Sequence, residues 1–248
     1  MRETRVIMGM PISMAVLDEG ACQHDLDAVF AEFEAADRQF SPFKDDSEIS
    51  RLNRGEIAES DLTPRVREVF ALCEQTKQET AGYFNIVRPD GTIDPCGMVK
   101  GWAIRNAARQ LKGMGFANFC IAAGGDIQCH GVNDQGKDWT VGVRNPFQPD
   151  EIVKVLVPKG CGVATSGNYL RGDHIYDPHT GRYGSDDIVS LTIIGADVME
   201  ADRYATASFA MGRDGIHFIE NIPGLEGYEI DRNGVARMTS GLEKFLPC

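Results

Sequence analysis

The chain has 248 residues, 42% of them hydrophobic, and a formal charge of −12. That length and apolar content suit a globular chain with a sizeable core. The surplus of acids excludes a protein held to nucleic acid through its phosphates, an affinity that comes from Lys and Arg. A nucleotide ligand must then be held by local chemistry or by a metal ion.

Taken in order, residues 6–17 alternate loosely and predict a strand. Residues 24–40 place Leu26, Val29, Phe30, Phe33 and Ala36 at helical spacing and predict an amphipathic helix. Pro42 ends that periodicity, and Ser47 is placed to cap a short turn running to Arg51. Thr63-Pro64 opens a second long helix to Ala81, stopped by Gly82. A third helix is expected over 98–114, with Val99, Ala103, Ala107 and Leu111 on one face. The texture then changes to strands at 118–123, 127–132, 139–144, 152–158 and 161–165, separated by Gly, Asn and Asp turns. A further strand at 188–195 precedes helices at 199–211 and 214–221, and 227–238 reads as a hairpin around Asn233-Gly234. Clustered strands beside helices, without regular alternation, indicate an α+β fold with a mainly antiparallel sheet. With no linker or repeat in view, a single domain over 1–248 is expected.

Seven cysteines form no CxxC pair and sit mostly in apolar runs, a pattern of buried free thiols in a reducing compartment. The start carries two arginines and an apolar stretch, but Pro11 interrupts it, acids follow, and no small-residue cleavage site is present. Glu19 stands where a lipoprotein signal before Cys22 needs leucine. No run is long enough to span a bilayer, so neither a signal nor a membrane anchor is expected and the cytoplasm is the expected location.

Four segments have chemical potential. Asp202 and Thr206, four residues apart on one helix, share a face, and a carboxylate beside a hydroxyl offers hard oxygen ligands of the kind Mg²⁺ prefers. The alternative is an exposed acid near a helix start, with Thr206 turned to its own backbone. In the turn-rich 167–182, His174 lies between Asp173 and Asp177, as a base steadied by acids or as a solvated loop histidine. Gly124-Gly125-Asp126 makes a tight corner, either an ordinary hairpin turn or a place where a ligand nears the backbone. The stretch TIDPCGMVKGWA, 92–103, sets Asp94 and Pro95 at a helix start and Lys100 and Gly101 in its first turns. It is not a P-loop. It reads as an N-cap, a first-position proline and a solvated lysine, or as an anion site at the helix N-terminus. Zinc spacing, a nucleophile elbow and a G-x-G-x-x-G run are all missing from the sequence.

The segments MGMPIS, FSPFKDDSEISRLN, AGYFN, DPCGMVKGWA, AAGGDIQCHG, ATSGNYLRGDHIYDPHTG and ADRYATASFAMG, in this order, resemble the FAD:protein FMN transferase (ApbE) family from Met8 to about Gly212. The resemblance implies an ApbE-like (T-fold-like) architecture, with the FAD site between the N-terminal and central part and the C-terminal part. It also implies Mg²⁺-dependent transfer of the FMN half of FAD to a Thr or Ser hydroxyl of a target flavoprotein, with release of AMP. Carried over residue by residue, it puts the metal on Asp202, Thr206 and the Gly97 carbonyl. FAD contacts fall on Met8, Phe43, Tyr83, Phe84, Asn85, Asp94, Lys100 and Ile175, and His174 is the base near the incoming hydroxyl. Alternatives within the same frame are a Mg²⁺-dependent FAD pyrophosphatase giving FMN and AMP, and a flavin-binding protein without turnover. The chain departs from the family at Met10 and Asn85, and nine residues intervene between Phe84 and Asp94, where most members carry a much longer connection.

Overall fold

The computed structural model describes residues 1–169, 172 and 175–247. The chain opens with β1 (Arg2–Ile7) and β2 (Met10–Val16), an antiparallel pair closed by Met8-Gly9. The one strand expected over 6–17 is therefore a hairpin. Met8 and Gly9 have φ of +55° and +70°, the tight two-residue turn that usually draws Asn-Gly. A methionine does not advertise it.

Four helices follow: α1 (Gln23–Phe40), α2 (Glu48–Asn53), α3 (Pro64–Glu79) and α4 (Cys96–Gly113). The periodic apolar residues of α1 are all buried, and the Ser47 hydroxyl caps α2 by accepting from the Ser50 amide at 3.0 Å. After them come β3 (Phe119–Ala123), β4 (Asp126–His130), β5 (Val141–Arg144), β6 (Ile152–Leu156) and β7 (Gly162–Gly167). The remainder is β8 (Tyr176–Asp177), β9 (Arg182–Tyr183), β10 (Ile188–Gly195), α5 (Val198–Ala210), α6 (Gly215–Glu220), β11 (Glu226–Asp231) and β12 (Ala236–Met238).

Eight strands join in the order β1-β2-β3-β4-β7-β10-β11-β12, every pairing antiparallel. The fold is α+β with a mainly antiparallel sheet. On one face, Ile12, Met14, Phe119 and Ile121 pack with Phe30, Phe33, Trp102 and Ile104 of α1 and α4. Farther along that sheet, Ala164, Leu191 and Ile193 lie with Tyr204, Ala205 and Phe209 of α5. The opposite face of the later strands is also covered, Val163, Ile194 and Tyr228 meeting Val141, Leu156 and Leu242. β10 is thus buried on both sides, which is why its sequence is a near-continuous apolar run.

Among the described residues, no helix is long and apolar enough to cross a membrane. The described cysteines are free thiols, but Cys22 and Cys96 are exposed rather than buried. Each stands at the start of a helix, outside the apolar face.

Candidate functional site

A cavity of about 690 Å³ opens between the β1–β2 turn, the start of α4, the middle of α5 and the strand ends near 165–183. Small-molecule sites commonly occupy about 300–1,000 Å³. Met8, Phe43, Tyr83, Phe84, Asn85, Asp94, Gly97, Lys100, Ile175, Asp202 and Thr206 all lie on its wall. His174 lies outside the described residues.

The floor is the crossing of α4 and α5. A Cβ added at Gly97 would stand 3.3 Å from both the Thr206 methyl and the Phe84 ring. One turn on, a Cβ at Gly101 would stand 2.8 Å from the Met199 Cα and 2.9 Å from the Asp202 Cβ. The two glycines therefore let α5 lay Asp202 and Thr206 directly on the first turns of α4, despite the cost of glycine in a helix. The Gly101 amide donates to Asp202 Oδ2 at 2.9 Å. A regular helix offers that same amide to the carbonyl four residues back, Gly97.

The charges at this floor are not solvated. Asp202 is 3% exposed and Asp126 fully buried. Lys100 Nζ lies 2.6 Å from Asp126 Oδ2 and 3.3 Å from Asp202 Oδ1, so one ammonium spans two buried carboxylates. Burial pushes the Asp202 carboxyl up to about 7, with Lys100 pulling it down and Asp126 pushing it further up. Asp126 also accepts the Thr165 amide at 3.1 Å, which ties β4 to β7 beside the cavity. The readings of Lys100 as a solvated side chain and Asp202 as an exposed acid are both overturned. The helix start shifts by one residue too, with Pro95 as the N-cap instead of the first helical residue, while Asp94 Oδ1 accepts the Cys96 amide at 3.0 Å.

Much of the rest of the wall is aromatic, with Phe40, Phe43, Tyr83, Phe84, Tyr169, Tyr176 and Tyr183 around Met8, Met10 and Ile175. Local structure explains how they are held. The buried Thr80 hydroxyl donates to the Thr76 carbonyl at 2.7 Å and accepts the Phe84 amide at 3.1 Å, forming the turn that presents 83–85. Asn53, at the end of α2, both donates to and accepts from the Ile93 backbone, at 2.9 and 2.8 Å, fixing the chain just before Asp94. Between them the short connection folds on itself through an antiparallel bridge, Val87 to Ile93, and brings Arg88 onto Asp94 at the cavity edge. His179, from the β8–β9 turn, lies on the Tyr83 ring at 4.3 Å and within 3.0 Å of the Ala81 carbonyl.

Three of these side chains escaped the sequence reading. Asp126 was visible only as part of a glycine corner, since its partners Lys100 and Thr165 are remote in sequence. Arg88 lies in a connection distinguished only by its brevity, and His179 lies within the ATSGNYLRGDHIYDPHTG segment, where nothing but His174 stands out as a base.

A cavity with an aromatic wall and a floor of buried carboxylates, an ammonium, a hydroxyl and a helix N-terminus suits a flat ring system bearing an anionic chain. It also has the chemistry for a hard cation. Among the described residues no group of three or more His, Cys, Asp or Glu is gathered. Asp202 and Thr206 bring a carboxylate and a hydroxyl to one small-residue crossing at the cavity wall. Mg²⁺ requires little more from protein, because water and phosphate fill its other positions.

The ApbE family profile matches residues 8–90 and 87–228. The chain belongs to the ApbE family. The two matched pieces meet at the short 87–93 fold-back, and together they take in every described wall residue named above. A "FAD:protein FMN transferase" of Salmonella typhimurium is 30% identical over 155 residues, 59% of this chain and 44% of the relative. The protein of that name from Vibrio cholerae is 31% identical over 135 residues, 51% of this chain and 40% of the relative. The match thus spans less than half the length of these curated relatives. Among solved structures, the flavin transferase ApbE from Vibrio cholerae superposes with a TM-score of 0.88 at 22% identity, covering 99% of each chain. The ApbE protein from Thermotoga maritima gives 0.88 at 20% identity, covering 100% of this chain and 99% of that one. At such identities the structures speak for the ApbE fold.

Proposed function

We propose that this chain is a Mg²⁺-dependent FAD:protein FMN transferase, moving the FMN part of FAD to a Thr or Ser hydroxyl of a target flavoprotein and releasing AMP. The observation that carries the reading is the crossing of α4 and α5. Gly97 and Gly101 there admit Thr206 and Asp202 to the floor of an aromatic cavity, beside Lys100. The name that the Salmonella and Vibrio relatives bear, FAD:protein FMN transferase, supports it.

In this reading the aromatic wall and Ile175 hold the flavin ring, Met8 and Asn85 bound it, and Asp94, Lys100 and the α4 start face the polar half of FAD. Asp202, Thr206 and the Gly97 carbonyl would hold magnesium, which would supply positive charge to offset that of the diphosphate. Lys100 stays paired with Asp126 and presents its remaining positive field to the phosphates. The acceptor oxygen forms a bond to the FMN phosphorus as the bond between that phosphorus and the AMP oxygen breaks. The hydroxyl proton goes to a base, a role assigned to His174 on its sequence position alone.

The test is to incubate the protein with FAD, with Mg²⁺ or with chelator, and to quantify AMP, FMN and any acceptor adduct. AMP formed with an acceptor adduct, and only with Mg²⁺, is the expected result. AMP with stoichiometric free FMN despite an acceptor would make it a pyrophosphatase, and intact FAD throughout would overturn the enzymatic reading. Asp202→Asn is expected to abolish Mg²⁺-dependent turnover.

A further inference from the structure

The hairpin of β3 and β4 carries a pair of thiols that the proposed chemistry does not use. Its two-residue turn, Gly124-Gly125, is closed by Ala123 opposite Asp126, and the pairing continues to Cys120 opposite Cys129. Hydrogen-bonded and non-hydrogen-bonded pairs alternate along an antiparallel ladder. The closing pair of such a turn is hydrogen-bonded, so Cys120 and Cys129, three pairs on, form a non-hydrogen-bonded pair. Cα atoms there lie about 4.5 Å apart, inside the range of about 4.4–6.8 Å that a disulfide bridges. The side chains point at each other, with the Cys129 thiol donating to Cys120 Sγ at 2.9 Å. Cys120 is half-buried and Cys129 is buried.

We propose that Cys120 and Cys129 are a redox-active dithiol that a small disulfide such as oxidised glutathione converts to a cross-strand disulfide. Exposure sets the order of events. The Cys120 thiolate attacks one sulfur of the small disulfide, forming a mixed disulfide and releasing one thiol. The Cys129 sulfur then attacks Cys120 Sγ, loses its proton to solvent and displaces the second thiol. Two protein thiols are oxidised by two electrons, and one small disulfide is reduced to two thiols. Contact with Cys120 and burial hold the Cys129 thiol well above its ordinary value, which leaves the first attack to Cys120. The bond would lock the hairpin that brings Gly124 to the cavity and Asp126 to Lys100.

One tryptic peptide, 113–137, contains both cysteines. The folded protein is treated with oxidised glutathione, quenched with N-ethylmaleimide under denaturing conditions, digested and weighed, with exposed Cys22 as the internal measure of oxidant reach. The expected peptide is lighter than the dithiol form by two hydrogen atoms and carries neither maleimide nor glutathione. In Cys129→Ala the same treatment is expected to leave glutathione on Cys120, and in Cys120→Ser to leave Cys129 fully alkylatable. A wild-type peptide that keeps two alkylatable thiols, or retains glutathione, while Cys22 is fully modified would overturn the proposal.

Discussion

Gly101 donates its amide to the Asp202 carboxylate at 2.9 Å, and the space its missing side chain leaves is filled by the Asp202 Cβ and the Met199 backbone. Position 101 is therefore a contact point between helices in which one atom more would displace the carboxylate. Gly101→Ala is expected to destabilise the fold by about 1–3 kcal/mol through overpacking, because a main-chain atom cannot rotate away. A thermal melt reads it, and a melting temperature unchanged from wild type would show that α5 does not sit against α4 in this way.

The Lys100 ammonium is paired with both Asp126 and Asp202. Lys100→Met leaves two buried carboxylates facing each other, a loss on the order of 3–5 kcal/mol for a broken buried pair. Denaturant unfolding should show a loss below that figure at neutral pH, because without Lys100 the Asp202 carboxyl, already raised to about 7, takes up a proton instead of facing Asp126 as a second charge. A variant as stable as wild type would mean the ammonium is not bridging these acids.

Met8 occupies a left-handed conformation at the cavity edge, with φ of +55°. Such a residue costs about 1–2 kcal/mol unless it is glycine. Met8→Gly is expected to raise stability by about 1 kcal/mol while weakening FAD binding, because strain of this kind persists where a side chain is needed. Calorimetric unfolding and a flavin fluorescence titration separate the two effects. Undiminished flavin affinity would remove Met8 from the binding wall.

Arg88 and Asp94 pair at the tip of the short connection, where Arg88 keeps 41% of its side-chain surface exposed. An exposed pair adds about 0–1 kcal/mol to stability, so Arg88→Ala should leave the melt nearly unchanged. If the guanidinium faces the anionic part of FAD, the same change should weaken FAD binding about tenfold, equivalent to about 1.4 kcal/mol. Equal affinity in a binding titration would place the anion elsewhere.

Asp18 gives a pH dependence away from the site. Burial pushes its carboxyl up, but the amides of Asn118 and Ala117 and the Asn118 side chain outweigh burial and hold it below its ordinary 3.8. A depressed folded value means that this stabilisation is complete above the ordinary value and disappears as pH falls through the folded one. Asp18→Asn is therefore expected to be less stable than wild type at neutral pH, with the difference shrinking below about pH 4. A constant difference across a set of acid melts would contradict the assignment.

The helices were legible because apolar spacing records which face is buried, as with Leu26 to Ala36 in α1, and because Ser47 and Thr63-Pro64 mark starts. The β1–β2 hairpin was not, since Met8 adopts by strain what glycine adopts freely. β8 and β9, two residues each, are too short to show a period. At the site, the motifs supplied Asp202, Thr206, Gly97 and Lys100, and close packing at Gly101 could be suspected from a glycine inside a helix. What the sequence hid was partnership. Lys100 reads as a solvated lysine until the sheet places Asp126 beside it, and nothing local to Tyr83 announces the His179 ring that meets it from the opposite half of the chain.

The central claim is that a protein hydroxyl takes the FMN group of FAD at this cavity. It is tested most directly by intact mass measurement of a Thr- or Ser-bearing flavoprotein acceptor after incubation with this chain, FAD and Mg²⁺. The account predicts an acceptor heavier by one FMN group, with equimolar AMP, in the wild type and not in Asp202→Asn. An acceptor of unchanged mass while FAD is consumed to free FMN and AMP would contradict it.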